Sequence, residues 1–164
     1  MDYKVREAKV EDVPYVASIY NQGIEDRVAT LETRLRDNTE MLEWLSSRGE
    51  RYKVIVIEDR ENIVRGWASI NLFNSRCCYS GVGDLSIYID RSIRGKGLGK
   101  ILLSSVLKTA KKQEFHKLVL STFESNEAGK SLYRALGFRE VGTYENQGIL
   151  DGKFINVTIM EKLI

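Results

Sequence analysis

The sequence predicts an α/β fold of the α+β kind: a mixed sheet of about seven strands with helices on both faces. Three observations predict it. Strand-like and helical patterns alternate along the 164 residues in the order β-α-α-β-β-β-α-β-α-β-β. No repeat, low-complexity tract or linker interrupts them, so residues 1–164 read as a single domain with one core. In the segment Ser86 to Lys100, SIYIDRSIRGKGLGK, a strand runs straight into a glycine loop and a helix.

Tyr3, Val5 and Glu7 start a strand. Asp12 then stands as the cap of a helix with Pro14 in its first turn, where the missing N–H costs nothing. Val13, Val16, Ala17 and Tyr20 give that helix one apolar face. A second helix follows from about Asn38 to Arg48 with Met41, Leu42 and Leu45 inward, and Trp44 at its rim. Strands come next at Tyr52–Glu58, Ile63–Phe73 and Gly83–Ile89, the first two joined by a tight turn at Glu61-Asn62. A helix over Leu98–Gln113 turns Leu98, Ile101, Leu102, Val106 and Ala110 to one side. Lys117–Thr122 is a strand and Asn126–Leu136 a helix, stopped by Gly137. Strands near Phe138–Tyr144 and Phe154–Glu161 close the chain.

Composition removes several function classes. A hydrophobic share of 43% with 29% charged residues describes a water-soluble globular chain. A net charge of +2 is too small to argue for nucleic acid, and the useful basic charge is local, at Arg91, Arg94, Lys96 and Lys100. Apolar runs such as Val54–Ile57 are far too short to span a bilayer, and Met1–Glu11 is alternating and polar rather than a signal peptide. Adjacent Cys77 and Cys78 read as free thiols, which places the chain in a reducing cytoplasm. A single histidine, His116, predicted at the surface, and no Cys/His spacing argue against a metal site.

The glycine loop is the chemical signal. A strand that delivers Gly95, Gly97, Gly99 and several cations to a helix N-terminus builds an anion site, because unpaired N–H groups and the helix dipole point at the ligand. The spacing excludes two common phosphate loops. Lys100 is followed by Ile101, so no hydroxyl stands ready for magnesium as in G-x-x-x-x-G-K-[ST]. From Gly95 the register is G-x-G-x-G, one residue short of the dinucleotide fingerprint.

What fits is R-x-x-G-x-G, from Arg94 through Gly97 to Gly99, which resembles the pyrophosphate-binding motif of the GNAT acetyltransferase superfamily. NEAGKSLYRALGF, from Asn126 to Phe138, resembles the superfamily's second signature. The likeness extends to the phosphinothricin acetyltransferase-like branch through IYNQGIEDRVATLET (Ile19–Thr33), GWASINLFNSRCCYS (Gly66–Ser80) and the ending near Gly152–Met160. It implies a splayed GNAT sheet that binds acetyl-CoA. The arm of acetyl-CoA would pair with Ile87, Tyr88 and Ile89 as an added strand does. Its pyrophosphate would lie on Arg94, Gly95, Lys96, Gly97, Leu98, Gly99 and Lys100, and Asn126 would bond the arm. Homodimerism, common in the family, is also implied.

The resemblance also implies roles at the reacting centre. Strand alternation puts Asp84, Ser86 and Tyr88 opposite Leu85, Ile87 and Ile89, so Asp84 stands as the base that takes the amine proton. The branch usually carries glutamate there. Tyr133 is the candidate acid for the leaving thiolate. Arg76 would fork onto an acceptor carboxylate or phosphinate, with Phe73 and Tyr79 as an apolar wall and Thr30 and Glu32 nearby. Leu31, Phe154 and Asn156 stand where the branch has phenylalanine, tryptophan and aspartate. The implied activity is direct N-acetylation of the α-amine of a small amino acid or analogue. Acetylation of a protein or peptide amine, and a non-catalytic acyl-CoA sensor, are the alternatives.

Overall fold

Alternation along two central strands decides where the core lies. The computed structural model describes residues 2–164. In strand β2 (Val54–Glu58), Ile55 and Ile57 join one buried cluster while Val54 and Val56 join the other. In β3 (Val64–Leu72), Ala68 and Ile70 face the first cluster and Trp67 the second. A strand buried on both faces needs cover on both, and helices supply it. Helices α1 (Val13–Glu25) and α2 (Asn38–Ser46) pack on the Trp67 face, and α3 (Leu98–Lys112) and α4 (Glu127–Ala135) on the other.

Seven strands form one sheet in the order β1-β2-β3-β4-β5-β7-β6. The remaining strands are β1 (Lys4–Glu7), β4 (Val82–Ile89), β5 (Lys117–Phe123), β6 (Arg139–Leu150) and β7 (Lys153–Leu163). All neighbours are antiparallel except β4 and β5, which run parallel and pair only over Val82–Asp84 with Lys117–Val119. Beyond Asp84 the two strands part. This break is the splay that the family resemblance implies, and it leaves the β5-side edge of residues 85–89 open.

Local chemistry agrees with most boundaries. Asp37 and Glu40 form a reciprocal capping box at the start of α2, with bonds of 2.8 and 3.1 Å. Gly137, at φ +92°, ends α4, and the N–H groups of Gly137 and Phe138 donate back to Arg134 and Tyr133.

Three expectations fail for tertiary reasons. The Asp12 side chain makes no cap bond to α1; it accepts from Arg6 at 2.7 and 2.9 Å and from the Lys9 N–H at 2.7 Å. Leu42 and Ile101 are exposed, because each sits at the edge of a helical stripe that the sheet does not reach. The last two strands are longer than predicted, reaching Leu150 and beginning at Lys153, since each completes the other's ladder through a turn at Asp151-Gly152. His116 is exposed, as predicted, and Cys77 and Cys78 are free and exposed. Among the described residues no helix is long and apolar enough to cross a membrane.

Candidate active site

The two faces of β4 look into different clefts. On the α3–α4 face, a cleft of about 330 Å³ is lined by Ile87, Ile89, Arg94 and Gly95. Of the other predicted residues, Gly97, Leu98, Gly99, Lys100, Asn126 and Tyr133 line it too. Gly97 is the N-cap of α3 at φ +86°, no side chain caps the helix, and a Cβ placed on Gly95 or Gly97 would meet nothing within 4 Å. Uncapped N–H groups therefore face open space, the condition for an anion to sit on them. This loop and the open edge of residues 85–89 fit the diphosphate and amide-bearing arm of acetyl-CoA.

Details of that cleft depart from the sequence reading. Arg94 donates to Asp26 at 2.6 Å and to the Ile89 carbonyl at 3.1 Å, while Arg91 holds the other Asp26 oxygen at 2.7 Å. These arginines staple the loop to the end of α1, and Asp26 is held below the usual carboxylate range by them. Lys96 and Lys100 are exposed and form no ion pair among the described residues, which leaves them as the loop's free cations. Lys96 and Tyr88 do not line the cleft; the Tyr88 ring lies on the opposite face, edge-on to Tyr20 at 5.1 Å. Asn126 caps α4 by accepting from Gly129 N–H and donates to Thr122 Oγ1, both at 3.0 Å, so one amide hydrogen remains for a ligand. Burial pushes the Tyr133 phenol up to about 12, which keeps its proton in place at neutral pH.

On the other face, Asp84 and Ser86 enter a second cleft of about 450 Å³ with Thr30, Leu31, Glu32, Thr122 and Val157. The loop that carries Thr30 and Glu32 is seated on β6: the Leu31 side chain packs on Gly148, where an added Cβ would lie 2.4 Å from Leu31 Cδ1 and make that side chain shift. Burial raises the Asp84 carboxyl to about 6, opposed by the Asn71 amide. A carboxylate titrating there is charged at neutral pH yet basic enough to take a proton.

Asn71 belongs to a chain of contacts that sequence reasoning misses. Arg48, just past α2, donates to the carbonyls of Tyr52 and Ile70 at 2.9 and 2.6 Å and to Asn71 Oδ1 at 2.9 Å. With its oxygen so engaged, Asn71 turns its NH₂ towards β4, donating to Ser86 Oγ at 3.1 Å. The only sequence signal is an asparagine alternating with Ile70 and Leu72 in ASINL, and it does not reveal the partner.

The structure does not bring every predicted acceptor residue to Asp84. Phe73, Arg76 and Tyr79 lie in the exposed β3–β4 connection, where Phe73 and Tyr79 pack edge to face at 5.8 Å, and none of the three lines the Asp84 cleft. A turn braced by Arg76 N–H on Asn74 Oδ1 holds that loop to itself. Phe154 and Asn156 also lie outside the cleft; Asn156 bonds Glu124 and the Asn146 N–H instead.

Comparison with known proteins adds to this geometry. The pattern of the acetyltransferase (GNAT) family matches residues 16–138. An L-methionine sulfoximine/L-methionine sulfone acetyltransferase of Pseudomonas aeruginosa is 29% identical over 162 residues, covering 98% of this chain and 94% of that protein. The crystal structure of a phosphinothricin acetyltransferase from Sinorhizobium meliloti in complex with acetyl-CoA superposes with a TM-score of 0.93 at 28% identity, over 100% of this chain and 89% of that one. A ribosomal-protein-alanine N-acetyltransferase from Brucella melitensis has a TM-score of 0.94 at 30% identity, over 98% and 99%.

Proposed function

The chain belongs to the acetyltransferase (GNAT) family, and on that premise we propose that it N-acetylates the α-amine of a small amino acid or amino-acid analogue by direct transfer from acetyl-CoA. One observation carries the reading: Asp84, its carboxyl raised to about 6, stands where β4 and β5 part and lines the cleft suited to the acceptor, on the strand that leads to the glycine loop. Relatives that act on phosphinothricin and methionine sulfone support the substrate class.

The residues would divide the work as follows. Gly95 to Lys100 hold a diphosphate through the uncapped α3 N-terminus, with Lys96 and Lys100 supplying charge. The free amides of β4 beyond Asp84 pair with an extended arm. Acetyl-CoA, when bound, supplies an activated acetyl thioester. Asp84 accepts the proton that the attacking amine must lose, directly or through one water. A main-chain N–H at the splay faces the oxygen on which charge develops. Tyr133, protonated up to about pH 12, donates towards the departing sulfur.

Residues 1–164 are read as one acetyltransferase domain. Exposed Val141, Tyr144, Ile149 and Phe154 on β6 and β7 support a homodimer through that edge, and the exposed free thiols support a reducing, cytoplasmic setting.

The test is a thiol-release assay with free amino acids, methionine sulfone, phosphinothricin and a peptide. Release of CoA with free amino acids or analogues is the expected result. Turnover of the peptide alone would favour the activity named for the Brucella protein, and tight CoA binding without turnover of any amine would mean a sensor.

A further inference from the structure

A second cavity shares Ser86 with the Asp84 cleft. It measures about 310 Å³ and lies between α1–α2 and strands β3 and β4. That is the lower end of the range of about 300–1,000 Å³ usual for small-molecule sites. Its walls are the rings of Tyr20, Trp44, Trp67 and Tyr88, in contact at centroid distances of 4.9 to 6.1 Å.

Four rings can cage a cation, but the charges here have the wrong sign for one. Arg36 lines the cavity, and its carboxylate contact is a 3.3 Å bond to exposed Glu32. Arg48 stacks 4.5 Å over Trp44, and no carboxylate among the described residues pairs with it. Asn21 fixes where the Arg36 side chain starts, accepting from its N–H at 2.9 Å and donating to its carbonyl at 2.8 Å. The cavity is aromatic on its walls, carries the neutral polar side chains of Ser69, Asn71 and Ser86, and has Arg36 as its lining cation, which suits a neutral group attached to a carboxylate.

We propose that this aromatic cavity receives the side chain of the acceptor and that Arg36 holds its carboxylate, so that the enzyme favours α-amino acids with neutral side chains, aromatic ones included. The proposal rests on the reading of Asp84 as the base, because Ser86 is what joins the cavity to that residue. It assigns to Arg36 the task expected of Arg76, whose loop lies elsewhere.

Both tryptophans of the chain, Trp44 and Trp67, line the cavity, so their fluorescence reads occupancy without turnover. L-Phenylalanine titrated into the full chain with CoA present should change that emission saturably, and L-aspartate should not. Arg36→Gln should weaken L-phenylalanine by about tenfold and phenethylamine, which lacks the carboxylate, by less than about twofold. Ser69→Leu, which fills the cavity, should weaken L-phenylalanine far more than L-alanine, with CoA affinity measured alongside to establish that the variant folds. Silence of the tryptophans towards every apolar amino acid, or equal losses for the acid and the amine, would overturn the proposal. Full turnover by Asp84→Asn would instead retire the base, leaving these binding titrations to stand or fall by themselves.

Discussion

Asn71 and Asp84 face each other across the β3–β4 ladder, and the amide of the first opposes what burial does to the carboxyl of the second. Arg48 fixes which end of that amide points at β4. The pKa of the candidate base is therefore raised by burial and held back by a residue thirteen positions away, whose amide Arg48 orients.

Replacing Asn71 with leucine removes the donor, so the Asp84 carboxyl should rise further. The acidic limb of kcat/KM, expected near pH 6 in the native enzyme, should move up by about half a unit to one unit, the worth of one hydrogen bond. A pH–rate profile with an unmoved limb would contradict the contact's role.

Asp84→Asn should lower kcat by about 10²- to 10⁴-fold, with acetyl-CoA affinity little changed. The same variant should be more stable. A carboxyl raised from 3.8 to about 6 binds its proton better folded than unfolded, so native stability falls as pH rises through that window and stays reduced above it. Thermal melts should show a gain on the order of 1–3 kcal/mol at pH 7.5 that shrinks towards pH 4.

Arg6 neutralises two nearly buried carboxylates, Asp12 and Glu58, at 2.7 Å each. Arg6→Met leaves both without it and should cost about 3–5 kcal/mol at pH 7. Asp12 is held below its usual range by Arg6 against the opposing effect of burial, so this support is present above pH 4 and lost as acid protonates the carboxylate. The deficit of the variant should accordingly narrow at low pH in denaturant titrations.

Gly97 adopts φ +86° in open space, so an added Cβ would strain the backbone without clashing. Gly97→Ala should weaken acetyl-CoA by about tenfold, since the strain of about 1–2 kcal/mol is relieved by turning the α3 amides away from the ligand. Calorimetric titration checks it, and unchanged affinity would remove this loop from the coenzyme site.

Periodicity and spacing were enough for the helices, the seven strands, the glycine loop and the outward turn of Asp84 from Leu85, because each depends on residues within a few positions of one another. Arg94 was legible as part of the loop, but its engagement with Asp26 was not, since that partner comes from α1. Arg76, Phe73 and Tyr79 carried the family's pattern yet lie apart from Asp84. Trp44 read as a helix rim, although it forms a wall of the aromatic cavity beside Trp67. What the sequence determined by itself is therefore local: element type, face and the anion loop. The tertiary structure alone decided which polar groups meet. Strand register and helix docking bring together Arg48, Asn71 and Ser86, and desolvation at that junction makes Asp84 a weaker acid; neither register nor burial is encoded at any one position of the chain.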